Sequence, residues 1–301
     1  MEDLTQRYSG ESVKKNKYGF YQLNPIPTEE ELGKYYAEKY YQNESVQYSH
    51  VYDASELEFI ENKLHQKEVL IRRFVSTSKD KMRLFDLGCG EGFTLSYFYR
   101  NGYEVLGTDY SSYGIKTHNP DMLSFFMQGE LLKVCDGLRE KREKFDIVNL
   151  DNVLEHVPDP KLVLETCVGL LTERGIVVIE VPNDFNPVQM FLLKHKMIQS
   201  KNWVCAPDHI SYFNREGLKA LCESVSLAED VVLGDQLIEL FAFNPDSNYF
   251  DDSSKGHNCH IGRKAMEKCF EEISTNKVIN LGIALGDMGI GRQLIGIYHK
   301  E

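Results

Sequence analysis

The chain has 301 residues, with 34 Lys and Arg against 46 Asp and Glu, so its formal net charge is −12. Hydrophobic residues make up 42% and charged residues 27%, which is ordinary for a globular protein and excludes collagen-like, low-complexity and largely disordered classes. Because the balance is acidic and no long basic run occurs, a nucleic-acid partner is disfavoured.

Residues 1–80 are predicted to form an N-terminal helical cap or lid. Residues 1–52 hold nine of the seventeen tyrosines, and Thr28 to Glu31 read as a capping box before a short amphipathic helix. A second helix keeps one apolar face through Leu57, Ile60, Leu64, Ile71, Phe74 and Val75. Two interpretations stay open for the tyrosine-rich segment: a flap packed on the main domain, or a lid whose rings cover a substrate.

Residues 81–301 are predicted to form the main domain, in which strand and helix patterns alternate. Strands are expected at 84–87, 105–108, 123–127, 145–150 and 176–181, with helices from Gly92, after Ser111 and near 161–171. The run at 176–179 is apolar throughout, as in strands that are buried on both faces. The predicted fold class is therefore α/β, a Rossmann-like doubly wound parallel sheet.

The alternation stops after Val181. Asn214 is expected to cap a helix, and strand-like segments follow at 231–233 and 237–243. An insertion at about 244–289 is predicted as a polar loop and then one helix with Met266, Cys269, Phe270 and Ile273 inward. A final strand is expected at 293–298.

A glycine-rich loop follows the first predicted strand of the main domain. Asp86 lies near the end of this strand, and Gly88, Gly90 and Gly92 follow at alternate positions, where the missing Cβ lets the backbone turn tightly and approach a ligand. A dinucleotide loop has its third glycine where Phe93 stands, and Asp86 would repel a pyrophosphate. S-adenosylmethionine carries a sulfonium and no phosphate, so it fits this loop better than NAD.

Polar residues also follow the next three strands. Asp109 is placed to accept hydrogen bonds from both ribose hydroxyls of such a cofactor. Glu130 and Leu131 are expected at the adenine. Asp151 and Asn152 are expected beside the sulfonium end.

Together these segments resemble class I S-adenosylmethionine-dependent methyltransferases, the group that includes ubiquinone-biosynthesis and sugar O-methyltransferases. The resemblance covers about residues 81–243 and is carried by Phe85-Asp-Leu-Gly-Cys-Gly-Glu-Gly92, Gly107-Thr-Asp109, Val153-Leu-Glu-His-Val-Pro-Asp-Pro160 and His209-Ile-Ser-Tyr-Phe213. It implies the strand order 3-2-1-4-5-7-6 with strand seven antiparallel. The cofactor residues that it implies are Asp86, Gly88, Cys89, Gly90, Asp109, Tyr110, Glu130, Leu131, Asp151 and Asn152.

Two histidines are candidate catalytic residues. His209 lies in a loop after the fifth strand, where an imidazole can take a hydroxyl proton near neutral pH. The alternative is that it anchors the loop. His156 is the second candidate, with a structural turn as its alternative. No metal is predicted, because Asn152 stands where some quinone-directed relatives have the first carboxylate of a Glu-x-x-Glu-His run. The alternative is that Glu155, His156 and a water hold a divalent cation weakly.

The sequence thus predicts an S-adenosylmethionine-dependent methyltransferase acting on a hydroxyl of a sugar or nucleotide-linked sugar, in polysaccharide or secondary-metabolite biosynthesis. The alternatives are a phenol or quinone O-methyltransferase and a catalytically silent binding module. A homodimer is one expectation for its assembly. Seven cysteines without a C-x-x-C, and an N-terminus without an apolar stretch, predict a cytoplasmic protein with no membrane contact.

Overall fold

The computed structural model describes residue 8 and residues 12–28, 30–33, 35, 51–75 and 81–301. Its strands are β1 (Val13–Lys15), β2 (Tyr21–Leu23), β3 (Arg83–Leu87), β4 (Glu104–Asp109), β5 (Phe126–Gln128), β6 (Phe145–Asp151), β7 (Leu171–Pro182), β8 (Ser211–Tyr212), β9 (Leu227–Asp235) and β10 (Gln293–Lys300). Its helices are α1 (Ala54–Ile71), α2 (Phe93–Arg100), α3 (Tyr113–His118), α4 (Leu131–Glu140), α5 (Pro160–Leu170), α6 (Pro187–Lys194), α7 (Arg215–Glu223), α8 (Gly256–Ile273) and α9 (Thr275–Asp287).

The central element is a seven-stranded sheet with the order β5-β4-β3-β6-β7-β10-β9. Strands β3 to β7 pair in parallel, and β10 runs antiparallel to both β7 and β9. When only the seven strands of this sheet are numbered in chain order, β3 is strand 1 and β10 is strand 7. The observed order is then the predicted 3-2-1-4-5-7-6, with strand seven antiparallel. The predicted α/β, Rossmann-like fold class is confirmed.

The sheet is covered on both faces, which explains the continuous apolar strands. Phe85, Val148 and Val177 belong to a core cluster on one face, with α4, α5 and α7. Ile147 and Val178 belong to a second cluster on the other face, with α1 and α2. Successive residues of one strand thus enter opposite cores, so neighbouring positions along the strand must both be apolar.

Helix α1 packs directly against the main sheet. Its Leu64, Leu70 and Ile71 share a core cluster with Leu84 of β3 and Ile147 of β6. Part of the predicted N-terminal cap is therefore packed into the main core, and its status as a separate cap stays a prediction.

The segment before α1 is tied to the main domain by a small sheet of order β1-β2-β8. The capping box is present: the Glu31 carboxylate accepts from the Thr28 N–H at 2.8 Å, and the Glu31 N–H donates to the Thr28 hydroxyl at 3.2 Å. Tyr36 and Tyr40, in the segment that follows this capping box, lie outside the described residues, as do residues 76–80 between α1 and β3.

Two predictions in the last third of the chain are wrong. Residues 237–243 form a 3₁₀ helix rather than a strand, and the buried Glu239 carboxylate accepts hydrogen bonds from the side chains of Asn186 and Gln189 at 2.8 and 2.7 Å. The insertion contains two helices, α8 and α9, rather than one. Its predicted inward face is wrong at Cys269 and Ile273, which are exposed, whereas Met266 and Phe270 are partly buried and Arg263 is buried.

None of the helices in the described ranges combines the length and apolar composition needed to cross a bilayer.

Candidate functional site

A cavity of about 330 Å³ opens at the carboxyl edge of the parallel strands. Its wall includes five of the predicted cofactor residues: Asp86, Gly88, Cys89, Gly90 and Asp151. This edge is where open α/β sheets bind ligands. Five carboxylates line the cavity, at Asp86, Glu91, Asp151, Glu180 and Asp235. Lys63 and Lys67 belong to the same wall, so acidic side chains outnumber basic ones by five to two, and the wall suits a ligand that carries positive charge.

The backbone of the glycine loop explains its composition. Gly88, Gly90 and Gly92 have φ values of +80°, +50° and +79°, in the left-handed region that favours glycine. A Cβ on Gly88 would lie 2.6 Å from a methyl carbon of Val153. The loop can therefore pass close beneath a ligand only because these positions lack side chains.

Replacing Gly88 by Ala should reveal this requirement in the stability of the protein. We expect Gly88→Ala to lower the free energy of unfolding by about 1–3 kcal/mol more than Gly102→Ala, as for other overpacking substitutions. Gly102 is a matched control, because its φ is +87° but nothing lies within 4 Å of the added Cβ. Urea denaturation of both variants measures the difference, and equal losses would show that Val153 leaves room for the methyl group.

Asp86 is buried at the floor of the cavity. The side-chain amide of Asn149 donates to its Oδ1 at 2.7 Å. Burial raises the pKa of Asp86 to about 7, although the Asn149 hydrogen bond opposes this effect. The carboxyl group can therefore gain or lose its proton near neutral pH, and a cation beside it would favour the ionised form.

Asp109 holds the glycine loop, and it is not among the residues of the cavity wall. Its Oδ2 accepts from the Gly90 N–H and its Oδ1 from the Ser111 N–H, both at 3.0 Å. Burial raises its pKa, and these backbone donors oppose the rise. Its contact with the cofactor's ribose stays a prediction. The sequence analysis did not foresee that Asp109 also holds the glycine loop through the Gly90 N–H.

Removing the Asp109 carboxylate should weaken cofactor binding. We expect Asp109→Ala to weaken S-adenosylhomocysteine binding by about 1.5–3 kcal/mol, the range for a lost hydrogen bond to a charged group. Calorimetric titration measures the change. Asp121→Ala, on the surface turn at Pro120–Phe125, serves as a control that removes a carboxylate elsewhere. An unchanged affinity would remove Asp109 from the site.

The remaining predicted cofactor residues lie at neighbouring strand ends. Tyr110 is exposed, and Glu130 caps α4, whose first residue is Leu131. Asn152 follows β6 with a φ of +52°, and its side-chain amide donates to Asp151 Oδ1 at 2.9 Å. Their contacts with a cofactor stay predictions.

Helix α1 forms the roof of the cavity, and sequence reasoning missed its charged residues. Lys67 is only 5% exposed, and its Nζ lies 3.0 Å from Asp151 Oδ2 and 2.8 Å from Glu180 Oε2. Burial lowers the pKa of Lys67, but the two carboxylates outweigh this and hold it above its usual value. In the sequence, Lys67 is only a lysine beside the apolar positions of an amphipathic helix. Surface lysines commonly occupy such positions, so the pattern does not predict a buried ion pair.

Glu155, His156 and His209 form a cluster whose donor atoms all lie within 4.8 Å of one another. His156 Nδ1 lies 2.7 Å from the Asp208 carbonyl oxygen, so Nδ1 carries the hydrogen and Nε2 faces the cluster, 3.9 Å from Glu155 Oε1. Glu155 is 1% exposed, and burial raises its pKa to about 8.

The structure therefore brings both candidate catalytic histidines together with the buried acid Glu155. Two imidazoles and a carboxylate are also donors that hold a divalent metal ion. The expected lack of a metal stays a prediction. Neither histidine belongs to the wall of the cavity described above, but Glu155 and His156 follow Asp151 of that wall within five residues along the chain.

Comparisons with known proteins agree with this geometry. Residues 59–228 match the methyltransferase-domain family. A ubiquinone biosynthesis O-methyltransferase from Rhodopseudomonas palustris (strain TIE-1) is 31% identical over 126 residues, which are 39% of this chain and 48% of that protein. The Salmonella enteritidis PT4 protein of the same name is 25% identical over 179 residues, or 56% of this chain and 68% of the relative.

The chain thus spans about half the length of the Rhodopseudomonas relative. Among solved structures, a SAM-dependent methyltransferase from Archaeoglobus fulgidus aligns with 87% of this chain and 100% of its own, at 19% identity and a TM-score of 0.48. The family match covers more than half of the chain and includes the glycine loop, Asp109, Asp151 and both candidate histidines. The chain therefore belongs to the methyltransferase-domain family, as a class I S-adenosylmethionine-dependent member.

Proposed function

We propose that this protein transfers the methyl group of S-adenosylmethionine to a hydroxyl of a small molecule. The observation that carries the proposal is the cavity in which the left-handed glycine loop faces a wall of carboxylates. A sulfonium and an ammonium are stabilised by such a wall, and a pyrophosphate is repelled. In this arrangement Asp86 and Asp151 lie beside the charged end of the cofactor, with Asp109 at its ribose.

The reaction is an in-line displacement at the methyl carbon. The acceptor oxygen forms a bond to this carbon, the carbon–sulfur bond breaks, and its electron pair stays on sulfur, which becomes the neutral thioether of S-adenosylhomocysteine. The hydroxyl proton passes to a base. Because the leaving group is already activated by its charge, holding the acceptor close and excluding water supply much of the catalysis.

His209 is the proposed base, with His156 as the second candidate. Their rings lie edge to face with centroids 4.9 Å apart, beside the buried Glu155. Burial raises the pKa of Glu155 to about 8, and where Glu155 is ionised its carboxylate stabilises the imidazolium that forms when the proton arrives. The same loop is tied to the N-terminal segment, because the Tyr35 hydroxyl donates to Asp208 Oδ1 at 2.9 Å. This contact supports the proposal that the N-terminal segment closes over the acceptor.

Two acceptor classes remain, and each has its own support. A sugar hydroxyl suits the tyrosine-rich N-terminal segment, since tyrosine offers an apolar face and a hydroxyl. A phenol or quinol is the second candidate, because the relatives carry the name ubiquinone biosynthesis O-methyltransferase. A nucleotide-linked sugar has less support, because its phosphates need a cation. Arg215, which lies six residues after His209 in the sequence, is paired with Glu229 at 2.7 Å.

The pKa of Asp86 leads to a prediction about cofactor charge. Between pH 6 and pH 8 the carboxyl group, whose pKa is about 7, loses its proton, and the carboxylate attracts a sulfonium more than a thioether. We therefore expect the affinity for S-adenosylmethionine to rise several-fold relative to S-adenosylhomocysteine as the pH increases through this range. Parallel titrations measure the ratio. Asp86→Asn should flatten it, and a ratio that falls with pH would contradict the assignment.

The function itself is tested first by calorimetric titration with S-adenosylhomocysteine, with NAD as the control. We expect micromolar binding of the first and none of the second. An acceptor screen with labelled S-adenosylmethionine then compares sugars with phenols. A folded protein that binds neither cofactor would favour a silent binding module on the same fold.

A further inference from the structure

A second cavity, of about 50 Å³, lies next to the cofactor cavity. It is lined by residues of α1, β9, β10 and the two helices of the insertion, and it is partly open to solvent. Its apolar wall includes Leu70, Leu233, Met266, Phe270, Ile279 and Leu285. This cavity has room for an alkyl group of methyl or ethyl size.

The two cavities adjoin each other. Lys63, Lys67, Asp235 and Ile295 belong to the walls of both. At this junction Lys63 Nζ lies 2.6 Å from Asp235 Oδ1 and 2.8 Å from Glu267 Oε2. A ligand that spans both cavities would therefore meet charged donors and acceptors beside an apolar recess.

Gln236 stands at the same junction with a strained backbone. It belongs to the wall of the cofactor cavity and has a φ of +55°, which is uncommon for a residue with a long side chain. Its backbone is held in place, because its N–H donates to the Asp235 carboxylate and its carbonyl accepts from the Arg292 N–H at 3.2 Å. Glycine would adopt this conformation more easily, so strain of this kind at a cavity wall points to a use for the side chain.

We propose that the acceptor binds at this junction, with its ring held by the Gln236 amide and a short alkyl substituent in the small cavity. This inference rests on the proposed function and adds the acceptor's chemistry: a hydroxylated ring that carries a methyl-sized apolar group. A deoxysugar and an alkylated phenol share that chemistry. The insertion at about 244–289 then serves as the specificity wall, because α8 and α9 supply most of the apolar lining.

The test uses the full chain, saturated with S-adenosylhomocysteine and labelled at its methionine methyl groups. Two matched pairs of probes differ only in the apolar group: L-fucose against L-galactose, and 4-methylcatechol against catechol. We expect the alkyl-bearing member of one pair to shift the NMR signal of Met266, and its partner to leave that signal in place. The pair that responds tells a sugar from a phenol. Met266→Leu assigns the signal.

Two variants separate the parts of this site. Val278→Phe fills the small cavity and should weaken binding of the responding probe by about tenfold, while leaving its partner unchanged. Ile273→Phe, at an exposed position of α8, is the matched control. Gln236→Gly removes the amide and suits the left-handed backbone, so it should weaken both members of the responding pair without lowering the stability.

The outcomes separate this inference from the proposed function. Binding of S-adenosylhomocysteine without any shift of Met266 by an alkyl-bearing probe would overturn the acceptor site and leave the methyltransferase intact. A shift that Val278→Phe leaves unchanged would also overturn it. Failure to bind S-adenosylhomocysteine in a folded sample would instead count against the proposed function.

Discussion

Lys67→Met should lower the free energy of unfolding by about 3 kcal/mol at pH 7.5. The substitution keeps most of the side-chain volume but leaves Asp151 and Glu180 facing each other without a counter-charge, which is the costly way to break a buried ion pair. Glu180 is nearly buried, whereas Asp151 is 32% exposed and partly relieved by solvent. We therefore expect a loss at the lower end of the range that is typical when one partner of a buried ion pair is removed.

The pH dependence of this loss provides a second check. Burial raises the pKa of Glu180 from 4.5, its value in the unfolded chain, to about 7 in the folded protein. The folded state therefore loses stability as the pH rises through this range and Glu180 ionises. Without Lys67 that cost grows. We therefore expect the difference between Lys67→Met and wild type to shrink when the pH is lowered from 7.5 to 5.

The control for this prediction is Lys161→Met. Lys161 pairs with Glu165 one helical turn away, and both side chains are exposed, so its loss should change the stability by no more than about 0.5 kcal/mol. Urea denaturation of both variants at the two pH values measures the comparison. Equal effects of the two substitutions at pH 7.5 would show that the buried network contributes little.

His209→Ala should lower the turnover number by about 10²–10⁴-fold, the range for loss of a positioned general base. S-adenosylhomocysteine affinity should stay unchanged, because His209 is not part of the cofactor cavity wall. The measurement is single-turnover methyl transfer to the acceptor found in the screen, together with calorimetry. The pH–rate profile should also change at its acidic limb, since His156 is then the imidazole that remains in the cluster.

His195→Ala is the matched control for that variant. His195 packs against Phe191 with ring centroids 4.2 Å apart, outside the Glu155 cluster. Its replacement should leave turnover within about twofold, the scale of a surface substitution. A loss below tenfold for His209→Ala would assign His209 to loop anchoring and move the role of base to His156.

The parallel sheet and the glycine loop could be predicted because their signals are local. The run at β7 is apolar at successive positions, which only a strand buried on both faces requires. Asp86, Gly88, Gly90 and Gly92 are close in sequence, and the backbone conformation of the loop decides their spacing. Asn214 was likewise predictable as a helix cap, since its side chain accepts from the Gly217 N–H three residues later.

The insertion was harder to predict because its amphipathic pattern is weak. Arg263 is buried in α8, where its guanidinium pairs with Glu267 at 2.8 Å, and Ile273 is exposed, so the apolar residues mark the inward face only in part. Residues 237–243 are apolar enough for a strand. They form a 3₁₀ helix instead, in which the Glu239 carboxylate binds amides of Asn186 and Gln189 from α6 and its cap.

The sequence by itself determined the family, the fold class and the loop that faces the cofactor, because these depend on short-range spacing and backbone geometry. Only the tertiary structure decided which distant side chains meet. Lys67 and Glu180 are 113 residues apart, and His156 and Asp208 are 52 apart, yet each pair is in contact. Strand order and helix packing bring such residues together. A buried charge or polar group without a partner costs free energy, so the stable packing is one in which these groups are paired.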